Sequence, residues 1–132
     1  MTPALAALIF CTLFAGLAVF QFALALGAPL GRFAWGGGHE RLPAPLRIGS
    51  AISIALYVLF CAIIAERAGL IALFPWSSAS TIGAWLVTGY LGLGIVMNAI
   101  SRSKPERYTM TPLVIVLFAM ALIVAQSAPP VS

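Results

Sequence analysis

The sequence has very little charge. Seven Lys or Arg and three Asp or Glu occur among 132 residues, whereas 62% of the residues are apolar. A soluble domain typically has about one quarter charged residues, and a water-soluble fold of this length could not bury so much apolar surface in one core. The shortage of charge therefore excludes a soluble globular protein.

The sequence also lacks the residue combinations that carry chemistry. It has one histidine, His39, and two cysteines, Cys11 and Cys61, without a Cys-x-x-Cys motif. One histidine cannot form a zinc or haem site alone, and no nucleophile–base set, paired carboxylates or nucleotide fingerprint is present. We predict no enzyme activity, cofactor or metal. We interpret the cysteines as small packing residues with free thiols, and the glycines at 36–38 as a flexible turn.

Four segments contain no charged residue, and each is long enough to cross a bilayer once: residues 1–31, 48–65, 68–101 and 108–132. A helix needs about 20 apolar residues to cross the hydrocarbon, where the backbone must satisfy its own hydrogen bonds. The sequence therefore predicts an all-α integral membrane protein, a single-domain antiparallel four-helix transmembrane bundle over residues 1–132. The predicted spans are about 3–27, 48–65, 81–99 and 111–127. We expect the first span to persist in the mature protein. A signal peptide has a basic region before its apolar core, whereas the first basic residue of this sequence is Arg32, after the span.

Two helix starts carry recognisable capping residues. Thr2 followed by Pro3 is typical of an N-cap and a first helical residue. Ser103 and Glu106 have the spacing of a capping box, in which the glutamate side chain reaches back to the N-cap amide. The sequence thus predicts helix starts at these two positions.

Two segments leave alternatives open. Pro112 lies about two turns after the predicted cap, so either the fourth helix kinks there or a short interfacial helix precedes a span that starts at Thr111. Residues 68–76 are apolar but too short to cross the bilayer. They either continue the second helix or lie in the membrane interface.

The basic residues predict the orientation. Six of the seven fall in or beside the first and third loops, and only Arg67 lies on the opposite side; the six are Arg32, Arg41, Arg47, Arg102, Lys104 and Arg107. Basic loops stay in the cytoplasm, so both termini should be periplasmic or extracellular. Aromatic residues then mark the interfaces: Trp76 and Trp85 the outer one, Phe33 and Trp35 the inner one. The high pI follows from this topology and does not indicate nucleic-acid binding.

Small residues form a stripe on the third predicted helix. Ala84, Thr88 and Gly92 repeat every four residues, a spacing that permits close contact with another helix. The contact is either internal to the chain or a self-association between subunits.

Polar residues within the predicted spans fall in the cytoplasmic half. They are Gln21, Ser50, Ser53 and Asn98, and an amide in hydrocarbon requires a partner. One interpretation is interhelical hydrogen bonding. The other is a polar vestibule that holds an anionic lipid headgroup or a partner segment, for which the candidate residues are Gln21, Arg47, Ser50, Asn98, Arg102 and Arg107. Arg47 and Arg107 are the preferred anchors, because each adjoins a helix end.

Two loop regions carry a resemblance to a known family. They are residues 27–37 (GAPLGRFAWGG), followed by Leu42-Pro43 and Arg47, and residues 98–107 (NAISRSKPER), followed by Pro112. With the four-span layout, which covers essentially the whole chain, these regions resemble a family of small uncharacterised bacterial membrane proteins. The resemblance implies a multi-pass protein of the bacterial inner (plasma) membrane. It implies no activity, ligand or catalytic residue.

The sequence therefore predicts a non-catalytic polytopic membrane protein. The first interpretation is an accessory or structural subunit of a membrane complex, or a homo-oligomer. The alternative is a small transporter, channel or lipid-binding protein that uses the cytoplasmic vestibule. A membrane enzyme comes third.

Overall fold

A computed structural model describes residues 1–73 and 77–127 of the chain. These residues form four long helices and no strand, and the helices are α1 (Pro3–Ala25), α2 (Ala44–Arg67), α3 (Ser77–Ala99) and α4 (Lys104–Gln126). All four are long and apolar enough to cross a membrane. The predicted all-α, four-span architecture is confirmed, and the chain is a small multi-pass membrane protein.

The helices form an antiparallel bundle in which each packs on its neighbour in the chain and α4 also packs on α1. Opposite directions are evident from the residue pairs in contact. Along α3 and α4, Gly92 faces Phe118 and Gly94 faces Val114, so one helix ascends as the other descends. We call the end of the bundle that carries residues 26–43 and 100–103 the basic-loop end.

The core combines aromatic side chains with small residues. The Phe14 ring lies 4.6 Å from that of Tyr57, centroid to centroid. Ala84 and Thr88 are buried inside the bundle, and a Cβ at Gly92 would lie 3.3 Å from the Phe118 ring. The small-residue stripe of α3 therefore packs within the chain, and self-association between subunits stays a prediction.

The helix ends agree with the predicted spans at the start of α1 and depart from them at both ends of α2. The Thr2 cap is present, since its hydroxyl accepts from the Leu5 amide at 3.2 Å. However, α2 begins at Ala44, so Arg47 lies in its first turn instead of before it. The same helix ends at Arg67, because the chain turns through Gly69 with φ +83° and residues 71–73 are not helical. Residues 68–73 therefore do not continue α2, residues 74–76 lie outside the described residues, and the interfacial location of this segment stays a prediction. Trp76 lies outside the described residues.

The fourth helix runs without interruption through Pro112, so no separate interfacial helix precedes it. The Ser103 hydroxyl accepts from the Glu106 amide at 3.4 Å, as the predicted cap requires. The second half of the capping box is wrong. The Ser103 amide donates to the Ser101 hydroxyl at 3.2 Å, and the Glu106 carboxylate points elsewhere.

At the opposite end of the bundle, two charged side chains form hydrogen bonds with backbone groups. Arg67 is buried, and its guanidinium donates to the carbonyl oxygens of Ala125 and Ser127. The last carbonyls of a helix have no partner within it, so Arg67 stabilises the end of α4. The Glu66 carboxylate accepts from the Leu73 amide.

The first loop is folded, although its glycines predicted a flexible turn. Two short 3-10 turns occupy Gly31–Phe33 and Trp35–Gly37, and the Gly31 amide donates to the Glu40 carbonyl at 2.8 Å. The Ser103 hydroxyl donates to the Arg32 carbonyl. The first loop is thus docked on the start of α4.

Gly37 is the position at which this docking excludes a side chain. Its φ is +73°, and an added Cβ would lie 2.6 Å from the Ser103 hydroxyl oxygen. We predict that Gly37→Ala lowers stability by about 1–3 kcal/mol through strain and overpacking. The measurement is unfolding of the purified protein in detergent. Gly38→Ala is the matched control, because Gly38 has φ −73° and open space around it. Equal stability of the two variants would contradict the docked loop.

Candidate binding site at the basic-loop end

A cavity of about 280 Å³ lies between the helices at the basic-loop end. Every helix contributes to its lining, and Phe33, Ala34 and Trp35 of the first loop add to it. The polar side chains that line the cavity come from all four helices: Gln21, Ser53, Tyr57, Tyr90, Asn98 and Glu106. The fold thus gathers polar groups from distant parts of the sequence around one space.

Gln21 brings a buried amide to this cavity. The side chain is 9% exposed, and its nitrogen donates to the Tyr57 hydroxyl at 3.0 Å. Its carbonyl oxygen is buried and has no hydrogen-bond partner among the described residues. Because a buried acceptor without a donor costs about 1–3 kcal/mol, this oxygen is available to a ligand with a donor group.

Trp35 lines the cavity from the first loop and is 45% exposed. The indole nitrogen donates to the Ser50 hydroxyl at 3.2 Å, and the ring packs so closely on Gly49 that an added Cβ would lie 2.9 Å from it. Trp35 itself has φ +53°, a conformation that a bulky residue rarely adopts. The backbone strain is offset by the packing and the hydrogen bond that fix the indole over the cavity.

Glu106 supplies the one carboxylate of the lining. The residue is 8% exposed, and its carboxylate accepts from the Gly36 amide at 3.4 Å. Sequence reasoning missed this orientation, because Glu106 has the spacing of a capping box. The signal in the sequence that could have revealed it is Ser101. Its hydroxyl accepts the hydrogen bond from the Ser103 amide that a capping glutamate would accept.

A second cavity of about 320 Å³ adjoins the first. The two share the lining residues Leu17, Tyr57, Tyr90, Asn98 and Val114. Buried Phe14 and Leu117 contribute to the second cavity, whereas Leu93 and Met97 on its α3 side are 61% and 59% exposed. The cavity therefore reaches the surface of the bundle.

We place the opening between α2 and α3, because the exposed wall of the cavity belongs to α3 and Tyr90 on that wall contacts α2. Tyr90 lines both cavities and is half exposed, and its ring lies 5.2 Å from that of Phe60 on α2, centroid to centroid. Met97 lies about two turns farther along the same face of α3, toward the basic-loop end. This surface lies within the apolar length of two spans, so it faces the bilayer rather than water.

The structure brings together only some of the residues predicted to form a vestibule. Gln21 and Asn98 line the cavity, and Ser50 lies at its edge through the bond to Trp35. The three arginines Arg47, Arg102 and Arg107 are not among the residues that line it.

Each of the three arginines has other surroundings. Arg47 donates to the Leu42 carbonyl at 2.8 Å. Arg107 donates to the Ser101 carbonyl at 3.5 Å, and its guanidinium lies 5.0 Å from the centre of the Tyr108 ring. Arg102 is exposed. The positive charges thus lie on the rim and the outside of the basic-loop end.

The cysteines lie together on α1 and α2. The Cys11 thiol is 3.8 Å from the Cys61 carbonyl oxygen, and both residues are free and partly buried. His39 is exposed. Within residues 1–73 and 77–127, no group of three or more His, Cys, Asp or Glu side chains has the arrangement of a metal site.

Comparisons with protein-family models, with curated proteins and with solved structures find no match to this chain. The geometry of the bundle and its cavities is therefore the basis of the functional inference.

The hydrogen bond between the Trp35 indole and the Ser50 hydroxyl can be tested by fluorescence. In a Trp76→Phe, Trp85→Phe background, Trp35 is the single tryptophan. We predict that Ser50→Ala frees the indole and increases the quenching of its fluorescence by acrylamide.

The matched control for this test is Ser53→Ala. The Ser53 hydroxyl donates to the Gly49 carbonyl of its own helix at 2.9 Å and does not hold the indole. We expect this variant to quench like the parent. Identical quenching of the Ser50 and Ser53 variants would show that the hydroxyl of Ser50 does not fix Trp35.

Proposed function

We propose that the chain is a non-catalytic membrane protein that binds a lipid-like amphiphile in its two adjoining cavities. The observation that supports this most strongly is the continuity between a polar cavity and an apolar one that opens toward the bilayer. Ligand sites typically have volumes of about 300–1,000 Å³ and few polar groups on apolar walls. The two cavities together have this size and this chemistry.

The arrangement suggests how an amphiphile would lie. Its polar head would reach Gln21, Tyr57 and Asn98, where the buried amide oxygen of Gln21 lacks a donor. Its chain would extend toward Phe14 and Leu117, near the middle of their helices. Access from the bilayer between α2 and α3 spares the ligand a passage through the loops.

A subunit of a membrane complex, or a homo-oligomer, is the other function that the sequence predicted. The stripe of Ala84, Thr88 and Gly92, through which self-association was considered, is used for packing inside the chain. This reduces the support for contact through that stripe. Stoichiometric co-purification of a second membrane protein would favour this function, whereas a lone chain with a bound amphiphile favours the binding protein.

We further propose that the protein lies in a bacterial inner membrane with both termini outside the cytoplasm. The distribution of Lys and Arg supports this orientation, because six of seven belong to the basic-loop end and basic loops remain cytoplasmic. The cavity with Glu106 would then face the cytoplasmic leaflet.

The orientation predicts the behaviour of fusions after Ser132. An alkaline phosphatase there should be active and a fluorescent protein should be dark, because the first requires export and the second requires the cytoplasm. A phosphatase fused within the loop at 100–103 is the reciprocal control and should be inactive. The reverse pattern would invert the proposed orientation.

Filling the apolar cavity tests the binding function. Gly94 lines that cavity, and its Cβ would lie 3.5 Å from Val114. We predict that Gly94→Leu weakens the binding of dodecanol by about tenfold or more, since overpacking costs about 1–3 kcal/mol. The measurement is a native mass spectrometry titration in mild detergent.

The matched control is Gly89→Leu on the same helix. No atom lies within 4 Å of a Cβ at Gly89, which is exposed, so the added leucine projects into the surrounding lipid or detergent. This variant should bind dodecanol like the unmodified chain. Equal binding of dodecanol by both variants would overturn the proposed function.

A further inference from the structure

We propose that the cavity selects amphiphiles whose head is a positively charged amine, with the Glu106 carboxylate as the counter-charge. This inference rests on the proposed function, because it names the class of ligand that the same cavities accept. It is carried by the orientation of one carboxylate, by the acceptors around it and by the placement of the basic residues.

The Glu106 carboxylate is buried beside the cavity without a positive partner. The residue is 8% exposed and lines the cavity. Among the described residues, its side chain makes one hydrogen bond, to the Gly36 amide at 3.4 Å, and no ion pair. Burying a carboxylate is costly unless a cation or several donors compensate it. One long amide bond is a small compensation, so the site favours an added cation.

Helix capping accounts for the position of Glu106 but not for its orientation. A carboxylate in the first turn of a helix is stabilised by the helix dipole, and Glu106 lies in the first turn of α4. A capping glutamate would accept from the Ser103 amide. That amide is bonded to Ser101, and the carboxylate instead lies between the first loop and the cavity.

The other polar groups of the cavity offer acceptors. An ammonium group has three donors and no acceptor. The Gln21 carbonyl oxygen is buried without a donor. The side-chain nitrogen of Asn98 donates to the Gly94 carbonyl at 2.8 Å. The side-chain oxygen of Asn98 is the acceptor that remains for a ligand. Glu106, Gln21 and Asn98 therefore provide acceptors suited to one ammonium head.

Aromatic rings complete the lining around these acceptors. Trp35, Tyr57 and Tyr90 line the polar cavity, and the faces of such rings attract cations. The side chains of Trp35 and Tyr57 are held in place by hydrogen bonds to Ser50 and Gln21. A ring that is already ordered loses little entropy when a cation binds against it.

The basic residues at this end do not pair with the Glu106 carboxylate. Arg47 and Arg107 are bonded to the carbonyls of Leu42 and Ser101, and neither lines the cavity. An anionic head in the cavity would meet Glu106 and no cation. Charge complementarity thus favours an amine over the anionic headgroup considered from the sequence.

The test compares three probes with the same twelve-carbon chain: dodecylamine, dodecanol and dodecanoic acid. Their dissociation constants are measured by native mass spectrometry titration of the full chain in mild detergent. We expect dodecylamine to bind about tenfold or more tightly than dodecanol, because a hydrogen bond to a charged group is stronger than a neutral one. This ranking requires no variant and therefore does not depend on the folding of one.

Glu106→Gln should remove the preference for the amine, so that dodecylamine and dodecanol bind this variant with similar dissociation constants. Glu40→Gln is the matched control, because Glu40 is an exposed carboxylate in the first loop and does not line the cavity. It should keep the preference. The same elution volume and helical content in all three proteins would confirm that the variants fold.

The outcomes separate the two levels of the proposal. Equal binding of amine and alcohol would overturn the amine selection and leave amphiphile binding intact. Preference for dodecanoic acid would overturn it in favour of an anionic head. A preference for the amine that persists in Glu106→Gln would overturn the role of this carboxylate. Absence of binding by all three probes would overturn the proposed function itself.

Discussion

The docking of the first loop on the first turn of α4 is the contact on which the basic-loop end depends. The Ser103 hydroxyl bonds the Arg32 carbonyl, the Gly36 amide bonds Glu106, and Gly37 approaches Ser103 so closely that no side chain fits. These contacts join segments about 70 residues apart in the chain. They turn the loop into a wall of the cavity and bring Trp35 over it. Without this docking, the polar groups of the four helices would face a wide, wet opening.

The bilayer explains why an amide within a span reaches across to another helix, whereas a hydroxyl does not need to. Hydroxyl groups can bond within their own helix: Thr12 donates to the Leu8 carbonyl and Thr88 to the Ala84 carbonyl, both at 2.8 Å. Such bonds four residues back require no partner helix. An amide cannot satisfy both of its ends in this way. Gln21 therefore reaches across to Tyr57, and its oxygen stays buried without a hydrogen-bond partner among the described residues.

Much of the fold was predictable because it follows from where charge is missing. Stretches without charge that are long enough to span a bilayer define α1 to α4, and Thr2 defines the first helix start. The cavity was only partly predictable. Gln21 and Asn98 are recognisable from the sequence as polar residues within the spans. The role of Glu106 is not, because it depends on whether the Ser103 amide donates to Ser101 or to Glu106, and only the folded structure decides this. The sequence predicts Trp35 as an interfacial residue, but its place beside the cavity depends on a positive φ angle that its bulk would not suggest. Arg47 was read as a vestibule residue, although α2 starts earlier and turns its side chain toward Leu42.

The separation of charges bears on how a cation could reach Glu106. Arg32, Arg41, Arg102 and Lys104 are exposed at the basic-loop end, and a cation that approached from water would meet their combined positive field. Screening in physiological salt reduces that repulsion beyond about 8 Å but not at the rim itself. An amphiphile already in the bilayer meets no such barrier, because the opening between α2 and α3 is lined by Tyr90, Leu93 and Met97. Its head would then pass from the anionic surface of the leaflet to the buried carboxylate behind the rim. Basic residues that set the proposed topology and a carboxylate that is proposed to select a cation are therefore compatible, since lateral access would keep the ligand away from the basic residues while it binds the carboxylate.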